Sequence, residues 1–125
     1  MDTLYREELM DLYKHPAHRG KLQTPTVSAW QKNPLCGDEL EMQLIVDSNK
    51  ISDAKFEGSA CSVSLISAEL LSDTIIGMSV EEAAKITKDD LLAKLNMNLT
   101  TSRVKCAELA LDALKDSLKK YDQTN

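Results

Sequence analysis

Aromatic side chains are nearly missing from this chain: one Trp, one Phe and three Tyr, 4% of the total. Its core must therefore be built from Leu, Ile, Val, Ala and Met. Glycine and proline are equally sparse, at four and three residues, which excludes collagen-like and low-complexity architectures. No apolar run approaches the roughly 20 residues of a membrane span, so no membrane partner is expected. Basic excess is lacking too. A net charge of −5 leaves no stripe to neutralise phosphates, and nucleic acid is excluded as a partner. The opening MDTLYREELMDLYKH is acidic and amphipathic, unlike a signal or transit peptide. A cytoplasmic protein is predicted. Cysteine is rare and odd in number: three cannot all pair within one chain. In a reducing compartment such residues are more often metal ligands or nucleophiles than disulfides.

What remains is an ordinary globular balance, 42% hydrophobic and 28% charged over 125 residues, enough for one domain spanning 1–125 with a modest core. Leu4, Leu9, Leu12 and Tyr13 recur at helical spacing over 3–14, and Pro16 and Gly20 end that helix. Three strand-like stretches follow. Residues 26–31 run into Asn33-Pro34. Residues 39–47 alternate Leu40, Met42, Leu44 and Val46 with Glu39, Glu41 and Gln43. A turn at Ser48-Asn49-Lys50 leads to 51–57, where Ile51, Asp53, Lys55 and Glu57 oppose Ser52, Ala54 and Phe56. One face of such a sheet is polar, which predicts antiparallel strands with one wet side. After Gly58 the period lengthens. Leu65, Ile66, Ala68, Leu70, Leu71, Ile75 and Ile76 fit a largely buried helix from Cys61 to Ile76, stopped by Gly77. Ser79 with Glu82 forms a capping box for a short helix over 80–86. Another short helix runs to Leu95, 96–101 reads as a polar loop, and 104–121 is a long amphipathic helix presenting Leu109, Leu111, Ala113, Leu114 and Leu118. The order α-β-β-β-α-α-α-α predicts an α+β fold: a small three-stranded antiparallel sheet with helices packed on one face.

The cysteines fall at element junctions. Cys36 lies in the turn Asn33-Pro34-Leu35-Cys36-Gly37-Asp38, Cys61 where the third strand hands over to a helix, and Cys106 near the start of the last helix. Helix N-termini offer partial positive charge and unpaired N–H groups, which favour thiolate over thiol. Arg103 and Lys105 add positive charge beside Cys106. Gly37 and Gly58 allow a positive φ or a close backbone approach. Asp38, across Gly37 from Cys36, can turn its carboxylate to the same centre. Cys36, Asp38, Cys61 and Cys106 thus make four donors, which suits tetrahedral zinc or the four protein ligands of a [2Fe–2S] cluster. Against this stands packing, since unpaired cysteine is among the most buried residue types. Three junction cysteines with glycine and aspartate neighbours favour metal or thiol chemistry, without saying which. His15 and His18 form an H-x-x-H pair, but Pro16 breaks the helix that would align them, and a solvated loop is expected. Trp30 and the tyrosines read as packing residues. No Ser/His/Asp arrangement, phosphate loop or paired-carboxylate site stands out, so the chain is not expected to be an enzyme in its own right.

These motifs resemble those of the U-type iron–sulfur cluster assembly proteins, the family of IscU, SufU and the N-terminal domain of NifU. Asn33-Pro34-Leu35-Cys36-Gly37-Asp38 is similar to the family's first motif, Gly58-Ser59-Ala60-Cys61-Ser62-Val63-Ser64 to its second, and Arg103-Val104-Lys105-Cys106-Ala107-Glu108-Leu109-Ala110 to its third. Tyr13-Lys14-His15-Pro16-Ala17-His18-Arg19-Gly20 is similar to its opening turn. The resemblance implies a scaffold that receives persulfide sulfur from a PLP-dependent cysteine desulfurase, assembles a [2Fe–2S] cluster on Cys36, Asp38, Cys61 and Cys106, and passes it to acceptor apo-proteins. Persulfide would arrive at Cys106 or Cys36. Zinc at the same four residues is the implied alternative, with the chain acting as a SufU-like sulfur acceptor, or as a structural zinc module only. The branches mix here. Lys105 stands where IscU proteins carry histidine, and Leu99-Thr100-Thr101-Ser102-Arg103 replaces the LPPVK segment read by a dedicated chaperone, so the resemblance does not carry chaperone recruitment over to this chain. Both departures favour SufU. Yet only 44 residues separate Cys61 from Cys106, which leaves no room for the insertion that SufU proteins usually have there.

Overall fold

The computed structural model describes residues 3–34, 37–96 and 99–124. Helix α1 (Thr3–Lys14) precedes strands β1 (Val27–Asn33), β2 (Asp38–Asp47) and β3 (Lys50–Ser59). Helices α2 (Ser62–Ile75), α3 (Val80–Ala84), α4 (Lys88–Leu95) and α5 (Thr101–Thr124) follow. The strands form an antiparallel sheet in the order β1-β2-β3. The expected α+β architecture is therefore present. Helix α5 packs on β1 and β2, and α2 packs on α5, β3 and α1. Leu40, Met42, Leu44, Ala54 and Phe56 from the sheet meet Leu71 and Ile75 of α2 and Leu114 of α5 in one core. Among the described residues, no helix is long and apolar enough to cross a membrane.

Local chemistry explains most element ends. Ser48 and Asn49 both take positive φ, 52° and 65°, as a two-residue hairpin that matches strand twist requires. Ser79 and Glu82 close the expected capping box, and Thr87 and Asp90 close a second one on α4. Helix α5 begins at Thr101, three residues before the expected start. Thr100 Oγ1 accepts the Arg103 amide at 3.4 Å, a capping contact that lengthens the helix backwards.

Three expectations about the sheet need correction. Ile51 belongs to the buried face with Ala54 and Phe56, because the register slips between Ile45 and Val46 and leaves Ser52 as an extra residue. Such a bulge moves every residue beyond it to the other face. Gln43 was expected on the wet side but is buried. The chain after Gly20 lies over that face, and the Leu22 amide donates to Gln43 Oε1 at 2.7 Å. Trp30 is 46% exposed and Tyr13 40%, so neither is a packing residue. On β1 the buried position is its neighbour Ala29, while Trp30 pairs across to Glu41.

The outer edge of β3 is covered as well. Phe56 donates its amide to the His18 carbonyl at 3.0 Å and accepts from the Gly20 amide at 2.8 Å. Buried Glu69 of α2 holds this segment, accepting the His18 amide at 2.8 Å and meeting His18 Nδ1 at 2.6 Å. His18 is thus a half-buried anchor, not part of a solvated loop. His15 is exposed.

Candidate functional site

The β1–β2 turn and the exit of β3 lie at the same end of the sheet, since Asn33 pairs with Asp38 and Glu39 pairs with Ser59. Gly58 makes this closeness possible. Its φ is +145°, and a Cβ there would stand 2.2 Å from the Glu39 carbonyl oxygen. β3 then hands over directly to α2, whose N-cap is Cys61 in extended conformation.

Asp38 is the first residue of β2 and is buried. Its Oδ2 accepts the Cys61 amide at 3.2 Å, which places a carboxylate at the positive end of α2. Cys61 is half-buried. Cys106 enters from α5 and is buried, 5% exposed. One ligand-type atom from each of Asp38, Cys61 and Cys106 falls within 4.8 Å of the others. A tetrahedral zinc with Zn–S bonds of about 2.3 Å holds its ligand atoms roughly 3.8 Å apart, so small side-chain rotations close this set on an ion. Donor chemistry agrees: two sulfurs and a carboxylate oxygen are ligands zinc and iron both accept. The three residues face a cavity of about 580 Å³, also lined by Asn33, Thr101, Ser102, Arg103 and Lys105.

Cys36 lies outside the described residues. Of the four residues expected at the site, the structure brings together the other three. Cys106 differs from expectation in one respect. Because α5 starts at Thr101, Cys106 occupies the second turn, past the open N–H groups of the first turn. It is a core-facing residue that opens onto the cavity, and of the two described cysteines it is Cys61 that stands at a helix N-terminus. Arg103 and Lys105 are exposed at the cavity's rim.

The whole arrangement also has a sequence-level counterpart: the model of the NifU-like N terminal domain matches residues 4–125. The chain belongs to this family. NifU-like N-terminal domains thus account for nearly its full length, and the expected kinship holds. The chain is 32% identical to the zinc-dependent sulfurtransferase SufU of Bacillus subtilis, over 142 aligned positions covering 100% of this chain and 96% of that protein. It is 36% identical to the iron–sulfur cluster assembly scaffold protein IscU of Thermotoga maritima, covering 96% of each. Its fold superposes with a TM-score of 0.76 on a crystal structure described as a candidate cluster assembly scaffold of the SUF system from Fervidobacterium islandicum, 27% identical over 90% of this chain and 94% of that one.

Two residues of this NifU-like domain escaped the sequence reading. Ser64 is fully buried, and its hydroxyl lies 3.2 Å from Asp38 Oδ2, 2.8 Å from the Cys106 carbonyl oxygen and 3.6 Å from Cys61 Sγ. Its signal was spacing: three residues after a helix N-cap, a side chain turns back over that cap. Glu69 had a plainer signal, a carboxylate set among Leu65, Ile66, Ala68, Leu70 and Leu71 in the apolar run of α2.

Proposed function

We propose that this protein is an iron–sulfur cluster assembly scaffold whose cargo is bound by Cys36, Asp38, Cys61 and Cys106. The observation that carries this reading is the convergence of Asp38, Cys61 and Cys106, from three separate elements, within 4.8 Å at the mouth of a cavity. Anionic donors gathered in a half-buried place repel one another and lose hydration, costs that a bound cation reverses.

Sulfur arrives as persulfide on a PLP-dependent cysteine desulfurase. A thiolate of the scaffold, Cys106 or Cys36, attacks the outer sulfur, and the desulfurase cysteine leaves as its thiolate. The sulfur so received reaches the sulfide level with two electrons from an external reductant, and joins iron to make the [2Fe–2S] cargo. Acceptor apo-proteins then take the cluster. Asp38 explains how it leaves: a carboxylate is a harder and weaker donor to iron than a thiolate, so one corner of the cluster opens first. Asp38→Ala is therefore expected to slow transfer to an apo-ferredoxin by about tenfold, roughly 1.4 kcal/mol in barrier. Anaerobic reconstitution followed by timed transfer measures it, and equal or faster loss from the variant counts against the role.

A second reading is favoured by Lys105 before Cys106 and by the likeness to SufU. Here zinc is held by the same four residues, and the chain relays persulfide without building a cluster. Iron, zinc and sulfide contents of protein purified without oxygen, with visible absorbance, separate the two. A structural zinc module predicts instead no effect on desulfurase turnover and loss of the fold on chelation.

A further inference from the structure

Three described elements meet at the site, and one hydroxyl touches all of them. Ser64 Oγ reaches Asp38 Oδ2 of β2 at 3.2 Å, the Cys106 carbonyl of α5 at 2.8 Å, and Cys61 Sγ at the head of α2 at 3.6 Å. Ser64 has no exposed surface, so water does not compete for these contacts. One hydroxyl carries one hydrogen. That hydrogen is shared in a three-centre bond between the Cys106 carbonyl and Asp38 Oδ2, so no buried donor is left without a partner. The same helix supplies a contrast. Ser67 and Ser72 are equally buried, and their hydroxyls find no hydrogen-bond partner. Buried serine on α2 is therefore tolerated simply as a small residue, whereas Ser64 is engaged on every side.

We infer that Ser64 is the positioning residue of the Asp38 ligand. Two donors converge on Asp38 Oδ2, the Cys61 amide and the Ser64 hydroxyl. The amide fixes the carboxylate along the α2 axis, and the hydroxyl, steadied on α5 by the Cys106 carbonyl, fixes it sideways. Groups that orient a metal ligand in this way are worth about 10–100-fold in metal affinity. The inference deepens the proposed site and rests on Asp38, Cys61 and Cys106 being ligands.

Cobalt(II) is the probe, because its visible bands report thiolate ligation and tetrahedral geometry directly. Ser64→Ala is expected to raise the Kd for Co(II) about tenfold and to weaken the tetrahedral bands, while Ser67→Ala stays within about twofold. In an Asp38→Ala background, Ser64→Ala is expected to add less than about twofold, since its effect runs through the carboxylate. Unchanged affinity in Ser64→Ala overturns the inference. So does a tenfold loss that persists without Asp38, the mark of a merely structural hydroxyl. Should Ser64→Ala not fold, amide exchange in the unaltered chain tests the same point. A pinned carboxylate keeps the Cys61 amide protected when Zn(II) is added, and faster exchange shows that it swings away. If the parent chain binds Co(II) with no thiolate bands, the proposed site fails and this inference with it. Bands that Ser64→Ala leaves intact overturn the inference alone.

Discussion

Replacing Gly58 by alanine tests whether the close approach of β2 and β3 builds the site. An alanine Cβ at this position would lie 2.2 Å from the Glu39 carbonyl oxygen, 2.9 Å from Leu40 Cα and 3.0 Å from the Glu39 carbonyl carbon. All three are backbone atoms of a central strand, which β1 holds from the other side through the Lys32–Glu39 and Gln31–Leu40 pairs, so β2 cannot retreat. The φ of +145° adds a conformational cost of about 1–3 kcal/mol for a residue with a side chain. Overpacking adds about 1–3 kcal/mol. The expected loss is thus about 2–6 kcal/mol, against a total stability for a domain of this size on the order of 5–15 kcal/mol. Gly37→Ala is the control, because its φ is +75° with nothing within 4 Å of the added carbon. It should cost only the left-handed strain, about 1–2 kcal/mol. Urea unfolding reads both. With a slope of about 1–3 kcal/mol/M, a loss of about 3 kcal/mol moves the midpoint down by on the order of 1–3 M. Glu39 follows Asp38 directly, so Gly58→Ala should weaken Co(II) binding in parallel. A Gly58→Ala midpoint equal to that of Gly37→Ala would refute the steric reasoning.

Two further outcomes are expected. Glu69→Ala leaves the His18 amide and imidazole without their buried partner and should cost about 2–4 kcal/mol. Amide exchange at Gly20 and Phe56 should then accelerate as residues 18–20 leave the β3 edge, and unchanged protection there would contradict the anchoring role. Burial, followed by the charge of Glu108 one turn away, holds the Asp112 carboxyl above its ordinary range. The folded state therefore keeps that proton to a higher pH than the unfolded chain. Stability falls as pH rises from the unfolded value near 3.9 through the raised folded value, and is level above it. Asp112→Asn should gain about 0.2–0.5 kcal/mol at neutral pH, a figure limited by solvent screening at this exposed side chain. Thermal unfolding should show that gain vanish in acid, and a gain that persists at low pH would assign it elsewhere.

Features set by neighbours in sequence were legible before any coordinates. The hairpin at Ser48-Asn49, the capping box at Ser79, the apolar α2 and the amphipathic α5 each depend on residues within about four positions, where side-chain period and turn chemistry act directly. The grouping of Asp38 with Cys61 and Cys106 was legible for another reason: glycine and aspartate beside cysteine carry a chemical meaning wherever the chain then runs. Long-range pairing hid the remainder. Ile51 changed face because of a bulge that no alternation pattern contains. Gln43 is covered and His18 held by partners 21 and 51 positions away, and Ser64 gains its role from a carbonyl 42 positions on. Cys106 is covered because α5 starts early and lies across the sheet. A side chain's burial belongs to whatever packs over it, and that surface exists only once distant segments have met.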